Sequence, residues 1–171
     1  MTKRKIKVSD YATDIAHALE HGILVTTKAD GKVNSMVVEW GHVGRIWNRP
    51  VFVAYIRDSR YTRELLDKNP EFTVNIPVGP FDRRIIAVCG TKSGRDMDKI
   101  HELGLTPVEP ECISVPGLKE MPLTLECKVI YRQEQDSSML PEDIRRSFYS
   151  REGGDHISFF GEIVAAYVIE D

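Results

Sequence analysis

The sequence DSRYTR at residues 58–63 combines two aliphatic hydroxyl groups with two guanidinium groups at the start of a predicted helix. The first backbone N–H groups of a helix have no partner inside it, and the helix dipole is positive at that end. Together with Ser59, Arg60 and Thr62, this end could bind a phosphate group. The alternative is that Ser59 only caps the helix and that both arginines are solvated.

A second candidate segment is the polar loop CGTKSGRDMDK at residues 89–99. Its glycines would allow the backbone to approach a ligand closely, and Ser93, Arg95 and Lys99 could contact an anionic or carbonyl-rich molecule. The spacing differs from the GxxxxGK[ST] pattern of a P-loop. A flexible connection between two helices, with Ser93 or Asp96 as a helix cap, explains the same residues equally well.

A third candidate is the strand-like run VNSMVVEWG at residues 33–41. Asn34, Ser35 and the backbone N–H groups could bond to the edge of a planar heterocycle. The alternative is an ordinary half-buried strand with Trp40 in the core.

Two other signals carry less weight. His17 and His21 are four residues apart on a predicted helix, but no third ligand is evident, and we assign no metal site. Cys89 lies at a predicted helix end, where its pKa could fall. Because no resolving cysteine is evident, we expect Cys89 to be a small buried residue.

Alternating, β-rich runs separated by turn residues predict the strands that position these segments. The predicted strands are residues 23–28, 33–40, 51–57, 72–77, 123–131 and 157–170. Asp30 and Gly31 between the first two suit a tight hairpin turn. A loop is expected over residues 41–50, and Gly161 interrupts the last strand.

Helical spacing of apolar residues predicts four short helices. They cover residues 10–20, 59–69, 81–88 and 95–103. Asp10 and Ser59 are the predicted N-caps of the first two, and Gly22 is the predicted stop of the first. A hairpin followed by strands with short helical connections favours an antiparallel sheet closed into a small barrel over a doubly wound parallel sheet.

Composition limits the class of partner. The chain has 171 residues, with 23 Lys and Arg against 26 Asp and Glu, for a net charge of −3. We expect residues 1–171 to form a single domain with no nucleic acid or membrane partner. Because the net charge is slightly negative, such a domain must hold any anionic ligand through local positive charge. Three cysteines without CxxC spacing, and no signal peptide or apolar run of ~20 residues, indicate a cytoplasmic protein.

In type and order, these segments resemble the flavin reductase-like family of FMN-binding split barrels. The resemblance is carried by ILVTT…DGKVNSMVVEW, VFVAYIR followed by SRYT, FTVNIP, CGTKSGRDMDK and DHISFFGEIV, and it extends from Gly22 to Val168. It implies a mainly β fold with short helices, an antiparallel six-stranded split β-barrel. It also implies a homodimer with its flavin in a groove near the subunit interface.

The resemblance implies FMN as the cofactor, with its ring against the Asn34–Val38 strand and its phosphate beside the start of the 59–69 helix. The implied cofactor-binding residues are Asn34, Ser35, Met36, Val37, Val38, Trp40, Ser59, Arg60, Tyr61, Thr62, Ser93, Gly94, Arg95 and Lys99. Family members often carry Thr after the Met of the flavin-edge strand, whereas Val37 follows Met36 here. Backbone N–H groups or Ser35 would then have to bond to the ring.

The implied reaction is hydride transfer from NADH or NADPH to flavin N5, followed by electron delivery to an acceptor. The resemblance places His156 facing the flavin or the nicotinamide, where it could act as a catalytic residue that orients substrate or moves a proton. A packed, hydrogen-bonded histidine is the alternative. Two other functions stay open: a flavoredoxin-like FMN electron carrier, reduced by a partner protein without a productive nicotinamide site, and a flavin-free ligand-binding barrel.

Overall fold

The computed structural model describes residues 1–150 and 153–171. In chain order the strands are β1 (Thr2–Lys5), β2 (Ile23–Ala29), β3 (Lys32–Val38), β4 (Gly41–Ile46), β5 (Arg49–Arg57), β6 (Glu71–Ile76), β7 (Pro107–Val108), β8 (Gly117–Leu118), β9 (Leu123–Glu134) and β10 (His156–Glu170). The α-helices are α1 (Ala12–Leu19), α2 (Tyr61–Lys68), α3 (Arg84–Thr91), α4 (Lys99–Glu102) and α5 (Glu142–Phe148). Two 3-10 helices cover Val8–Tyr11 and Ser137–Met139.

Eight strands form one sheet in the order β3-β2-β6-β9-β10-β5-β4, with β1 paired to β10 beside this path. All of these pairings are antiparallel. The long β10 pairs with β5 over its first half, with β1 at its end and with β9 along most of its length. The predicted mainly β, antiparallel class is confirmed, but the prediction of six strands is wrong because β1 and β4 also join the sheet.

The sheet surrounds one main core, to which α1 and α2 also contribute. Ile15 and Leu19 of α1 pack with Phe52 of β5, Phe72 of β6 and Phe159 of β10, all of them buried. A smaller apolar cluster joins α3 to the segment around β8. Burial of these apolar faces is the main favourable term for such a fold.

Gly161 interrupts β10 as predicted. The pairing of β10 with β9 shifts register between Phe160 and Gly161. A Cβ atom at Gly161 would come within 2.5 Å of Phe72 Cζ, so a glycine is needed where the Phe72 ring crosses the strand.

The β2–β3 hairpin is confirmed. Asp30 and Gly31 have φ angles of 51° and 76°, the positive values that a two-residue hairpin turn requires. β3 ends the sheet order, so that it pairs with β2 on one edge and has no strand partner on the other among the described residues.

The loop expected over residues 41–50 is instead a second hairpin, formed by β4 and β5. Trp47 and Asn48 make its turn with φ angles of 49° and 61°. The prediction is wrong because Gly41 and Gly44 lie within a paired strand, where glycine weakens the sequence signal for a strand. Gly41 allows close pairing, since a Cβ there would lie 2.9 Å from the Val53 carbonyl oxygen.

The first helix starts later than predicted for residues 10–20. Asp10 lies in the first 3-10 helix, and no side-chain cap hydrogen bond precedes either that turn or α1. The predicted stop is confirmed, because Gly22 has a φ of +89°.

The starts of α2 and α3 also differ from the predictions. Arg60 is the N-cap residue of α2 and makes no side-chain cap bond, so the capping role predicted for Ser59 is wrong. α3 covers Arg84–Thr91 instead of residues 81–88. Both helices are positioned by buried apolar side chains.

Of the helix predicted over residues 95–103, only the four-residue α4 forms. Its cap is Asp98, whose side chain accepts a hydrogen bond of 3.1 Å from the His101 N–H, so neither Ser93 nor Asp96 caps this helix. β1 and α5 were not predicted, since both are short and rich in charged residues. No helix among the described residues has the length and apolar character needed to cross a membrane.

Candidate functional site

Two adjoining cavities lie beside β3, one next to α2, α3 and the 92–98 loop, and the other next to β5. The first, the α2 cavity, has a volume of about 150 Å³. The second, the aromatic cavity, has a volume of about 420 Å³ and is bounded by α5 and the start of β10. Met36, Val37, Arg60 and Gly90 line both, so the two form one continuous cleft.

The cleft brings together all of the predicted site residues except Ser35. Those in the α2 cavity are Asn34, Met36, Val37, Ser59, Arg60, Tyr61, Thr62, Ser93, Gly94, Arg95 and Lys99. Those in the aromatic cavity include Val38, Trp40 and His156. The three segments that the sequence singled out therefore meet at one place.

Ser35 does not reach the cleft. It is fully buried between β2 and β3, where its hydroxyl lies 2.6 Å from Thr26 Oγ1 in a hydrogen bond. The Ser35 hydroxyl therefore links β3 to β2 and is not available to a ligand. β3 has no strand partner on its other edge among the described residues, so backbone groups on that edge are not used in sheet pairing.

The start of α2 contributes the Arg60 guanidinium and the first N–H groups of the helix to the α2 cavity. Within residues 1–150 and 153–171, the backbone N–H groups of Tyr61 and Thr62 have no acceptor, as expected at a helix start. In the same part of the chain, the Arg60 guanidinium makes no ion pair. These donors form an arrangement suited to an anion.

Asn34 connects β3 to α2. Its Nδ2 donates a 3.0 Å hydrogen bond to Thr62 Oγ1, and both side chains are buried. Because Thr62 Oγ1 accepts this bond, its own proton remains available for a ligand in the cavity. Asn34 thus holds Thr62 in place.

Lys99 places a buried cation against the α2 cavity. The residue is 3% exposed, and its Nζ donates to the carbonyl oxygens of Lys92 and Cys89 at 3.2 and 3.5 Å. Burial lowers the pKa of the Lys99 ammonium, the positive charge of Arg60 lowers it further, and the Cys89 thiol acts in the opposite direction. An anion in the cavity would favour the charged form.

Arg95 lines the α2 cavity, but its guanidinium is already engaged. It donates to the Ser59 carbonyl oxygen at 3.3 and 3.4 Å and forms an ion pair with Glu64. Ser93 Oγ accepts a hydrogen bond of 3.2 Å from the Arg95 backbone N–H. Both residues therefore organise the loop around the cavity.

The aromatic cavity is built around His156. The Trp40 ring lies 4.7 Å from the imidazole and 5.1 Å from the Phe148 ring, centroid to centroid. Tyr149 Oη is 2.9 Å from His156 Nδ1 in a hydrogen bond. Trp40 is 37% exposed, so the alternative that placed it in the core is wrong.

His156 is uncharged at neutral pH. Burial lowers the pKa of its imidazole to about 4, with a further contribution from the nearby positive charge of Arg57 and Arg60. A neutral imidazole can donate one hydrogen bond and accept another, which suits it to orient a polar ligand.

Sequence reasoning missed several residues of the cleft. These are Cys89, Gly90, Thr91 and Lys92 in the α2 cavity, and Glu39, Tyr55, Arg57 and Phe148 in the aromatic cavity. The first group lies inside the 89–99 loop that the sequence analysis singles out, although these residues are not assigned to the cofactor there. Glu39 lies in the 33–41 run, Tyr55 and Arg57 lie in the predicted strand 51–57, and no motif marks Phe148. Cys89 is buried as expected, and burial raises the pKa of its thiol.

The sequence matches the family model described as "Flavin reductase like domain" over residues 20–171. A curated relative, described as an uncharacterized protein of Archaeoglobus fulgidus, is 31% identical over 133 residues, which cover 78% of this chain. The match covers 64% of that relative, so the chain spans less than two thirds of its length.

Two solved structures have a similar fold. The flavoredoxin of Desulfovibrio vulgaris (Miyazaki F) is 27% identical with a TM-score of 0.68, and the match covers 87% of this chain and 69% of that chain. A Shewanella frigidimarina NCIMB 400 protein, described as a flavin reductase with a split barrel domain, is 20% identical with a TM-score of 0.68. That match covers 97% of this chain and 76% of the other, and it concerns the fold alone.

The family match includes every segment that forms the cleft, from β3 through α2 and the 92–98 loop to β10. The strand order and the structural neighbours agree with a split barrel. The chain therefore belongs to the flavin reductase like domain family.

Proposed function

We propose that the cleft binds FMN and that the protein is an oxidoreductase that passes hydride from NADH or NADPH to the flavin and electrons onward to an acceptor. The observation that carries this proposal is the meeting of a cationic helix start and an open strand edge in one continuous cleft. A flavin mononucleotide has a matching pair of features, an anionic tail and a planar polar head.

The donor set of the α2 cavity fits a phosphate. Arg60 and Lys99 supply positive charge, Ser59 and Thr62 supply hydroxyl groups, and the first N–H groups of α2 complete the set. With a chain charge of −3, this local arrangement provides what the whole molecule lacks.

The part of the cleft where the two cavities join fits a planar ring. Met36 and Val37 line both cavities, and the unpaired edge of β3 offers backbone groups for the polar rim of a heterocycle. Bound FMN would supply the hydride-accepting centre, while the protein would position it and tune its electronics.

We assign the aromatic cavity to the nicotinamide. Trp40, Phe148 and the neutral His156 imidazole form a π-rich wall that would exclude water from a bound ring. Tyr149 would hold the imidazole in one orientation, and Arg57 would attract the phosphates of the dinucleotide. In this proposal His156 orients the substrate.

The homodimer implied by the sequence remains part of the proposal. A surface cluster of Trp47, Tyr131 and Phe160, with ring centroids 5.2 to 5.9 Å apart, supports it because exposed aromatic groups are typical of interfaces. Sedimentation of the purified protein at several concentrations would give its mass in solution, and a monomer throughout would contradict the dimer.

The test of the function is the visible spectrum of the purified protein followed by steady-state NADH and NADPH oxidation with added FMN. We expect a bound flavin spectrum and sustained turnover with at least one nicotinamide. A purified protein that shows no flavin spectrum, and whose NADH and NADPH oxidation does not change when FMN is added, would contradict the flavin site.

A second candidate is an electron carrier without a productive nicotinamide site. The 27% identity to a flavoredoxin favours it. Tightly held FMN with negligible oxidation of NADH and NADPH would support the carrier and contradict the reductase.

A further inference from the structure

A contact between the 92–98 loop and α2 lies beside the α2 cavity, next to Tyr61. The Arg95 guanidinium donates to the Ser59 carbonyl oxygen at 3.3 and 3.4 Å and pairs with the carboxylate of Glu64. Ser59 and Arg95 line the α2 cavity and Glu64 does not, so the contact extends from the cavity wall to a residue beyond it. We call this arrangement of Arg95, Ser59 and Glu64 the Arg95 strap.

Contacts beside the strap hold the loop in the same position. Lys32 Nζ donates a 2.6 Å hydrogen bond to the Gly94 carbonyl oxygen. A Cβ atom at Gly94 would overlap Asn34 Oδ1 and come within 2.9 Å of Tyr61 Cδ1, so the loop is packed tightly against β3 and α2. The Lys32 and Arg95 cations lie 5.0 and 5.4 Å from the centre of the Tyr61 ring.

These contacts limit how far a ligand can extend past the start of α2. A ligand that ends in one phosphate can use the donors of Arg60 and Thr62 inside the cavity. A ligand that continues beyond that phosphate meets the Arg95 strap and the packed loop. The α2 cavity, at about 150 Å³, is also much smaller than the aromatic cavity, at about 420 Å³.

We infer that the Arg95 strap makes the cleft selective for flavin mononucleotides and discriminates against flavin adenine dinucleotide. This inference rests on the proposed flavin site and adds its ligand class. Binding of FAD requires the second phosphate and the adenosine to pass where Arg95 joins Ser59 and Glu64. The dinucleotide must therefore break the strap or leave its first phosphate outside the α2 donors.

The free energy needed to break the contacts of the Arg95 strap is moderate. Charge-assisted hydrogen bonds are stronger than neutral ones, but the Arg95 and Glu64 side chains are 43% and 45% exposed, which weakens their ion pair through solvent screening. The close packing of Gly94 adds to the barrier. We expect the wild-type protein to bind FMN about tenfold more tightly than FAD.

The decisive variant is Glu64→Ala, which releases Arg95 without removing a residue that lines the cavity. Calorimetric titration of apoprotein with FMN and with FAD at one ionic strength gives the ratio of the two dissociation constants. We expect this ratio to move toward FAD by about threefold or more in Glu64→Ala. Near pH 8 the phosphate of FMN and the diphosphate of FAD each carry about two negative charges, so loss of the Glu64 charge alone should strengthen the binding of both, and a shift of the ratio toward FAD reports on the strap.

The matched control is Asp67→Ala. Asp67 lies on the same helix and pairs with Arg63 and Arg132 outside the cleft, so its loss should leave the ratio unchanged. Equal affinity of the wild-type protein for FMN and FAD would overturn the inference, as would the same ratio in wild type and Glu64→Ala, or an equal shift in both variants. Each of those results leaves the flavin site intact, whereas a protein that binds neither flavin overturns the site and the inference together.

Discussion

Arg60 lies where the two cavities of the cleft join, and it lines both. Its neighbour Arg63 pairs with Asp58 and Asp67, whereas the Arg60 guanidinium makes no ion pair within the two described ranges. A guanidinium that no carboxylate of the described chain neutralises can give its full charge to a ligand. The two arginines of the DSRYTR segment therefore have different roles, which their sequence spacing alone did not distinguish.

Replacement of Arg60 by alanine is expected to weaken FMN binding more than riboflavin binding, because riboflavin has no phosphate. A charge-assisted phosphate contact contributes about 1.5 to 3 kcal/mol, and calorimetric titration with both ligands measures the difference. Arg63→Ala is the matched control, since Arg63 pairs outside the cleft. Equal losses for FMN and riboflavin in Arg60→Ala would show that Arg60 does not bind the phosphate.

His156 makes folding stability depend on pH. Its pKa is lowered from 6.5 to about 4 by burial and by the charges of Arg57 and Arg60. As the pH falls below 6.5, the unfolded chain takes up this proton and the folded protein does not, so the free energy of unfolding decreases until about pH 4. Below that value both states are protonated, and this contribution changes no further.

The variant His156→Asn should therefore lose less stability than the wild type between pH 7.5 and pH 5. Urea unfolding at the two pH values measures the change in free energy for each protein. His17→Asn, at an exposed position on α1, is the control and should behave as the wild type. An unchanged pH dependence in His156→Asn would mean that the imidazole is not held neutral in the folded state.

At the scale of elements, a buried carboxylate on β9 holds the segment between β7 and β8. Glu126 Oε1 accepts hydrogen bonds from the Glu111 N–H at 2.7 Å and the Tyr167 hydroxyl at 2.8 Å, and its Oε2 accepts one of 2.7 Å from the Cys112 N–H. Glu126 is fully buried. A segment with little secondary structure is thereby fixed to the sheet through backbone donors.

In Glu126→Gln, the side-chain amide has one oxygen and one NH₂ group in place of two acceptor oxygens. The NH₂ group would meet one of the two backbone N–H donors, so that a buried polar group is left without a hydrogen-bond partner. We expect the free energy of unfolding to fall by about 1 to 3 kcal/mol, as measured by urea denaturation. Tyr167→Phe removes a single bond to the same carboxylate and should cost about 1.5 to 3 kcal/mol. Wild-type stability in Glu126→Gln would contradict the anchoring role.

The elements that could be predicted from sequence are those whose signals are local. Asp30 and Gly31 adopt the positive φ angles that their residue types favour, and alternation marked the central strands. β4 and the turn at Trp47 and Asn48 were missed, because a positive φ at a tryptophan is held by pairing with β5 and not by its own preference. Glu126 gave no signal, since its donors are 14 or more positions away.

At the scale of the whole molecule, the cleft exists because the sheet topology brings distant segments together. β3, α2, the 92–98 loop and the start of β10 are separated along the chain and meet around Met36 and Arg60. The residue types of these segments indicated phosphate and ring binding, and their order indicated the family. The segments of the cleft could therefore be predicted, while the engaged state of Arg95 and the burial of Ser35 depend on tertiary contacts.

The aromatic cavity could not be predicted to the same extent. Phe148 is the last residue of α5, a short charged helix with no sequence signature, and Tyr149 follows it. Both residues nevertheless lie beside His156. Arg57 reaches the same place because it pairs with His156 across β5 and β10. The aromatic cavity depends on the register between β5 and β10 and on the position of α5. Both are set by the whole fold and not by a local sequence signal.

The most direct test of the central claim is a crystal structure of the protein with FMN. We expect the phosphate at the start of α2, within hydrogen-bond distance of Arg60 and Thr62, and the ring along the free edge of β3 beside Met36 and Val37. Flavin bound elsewhere, or density for FMN absent from the cleft at saturating concentration, would contradict the account.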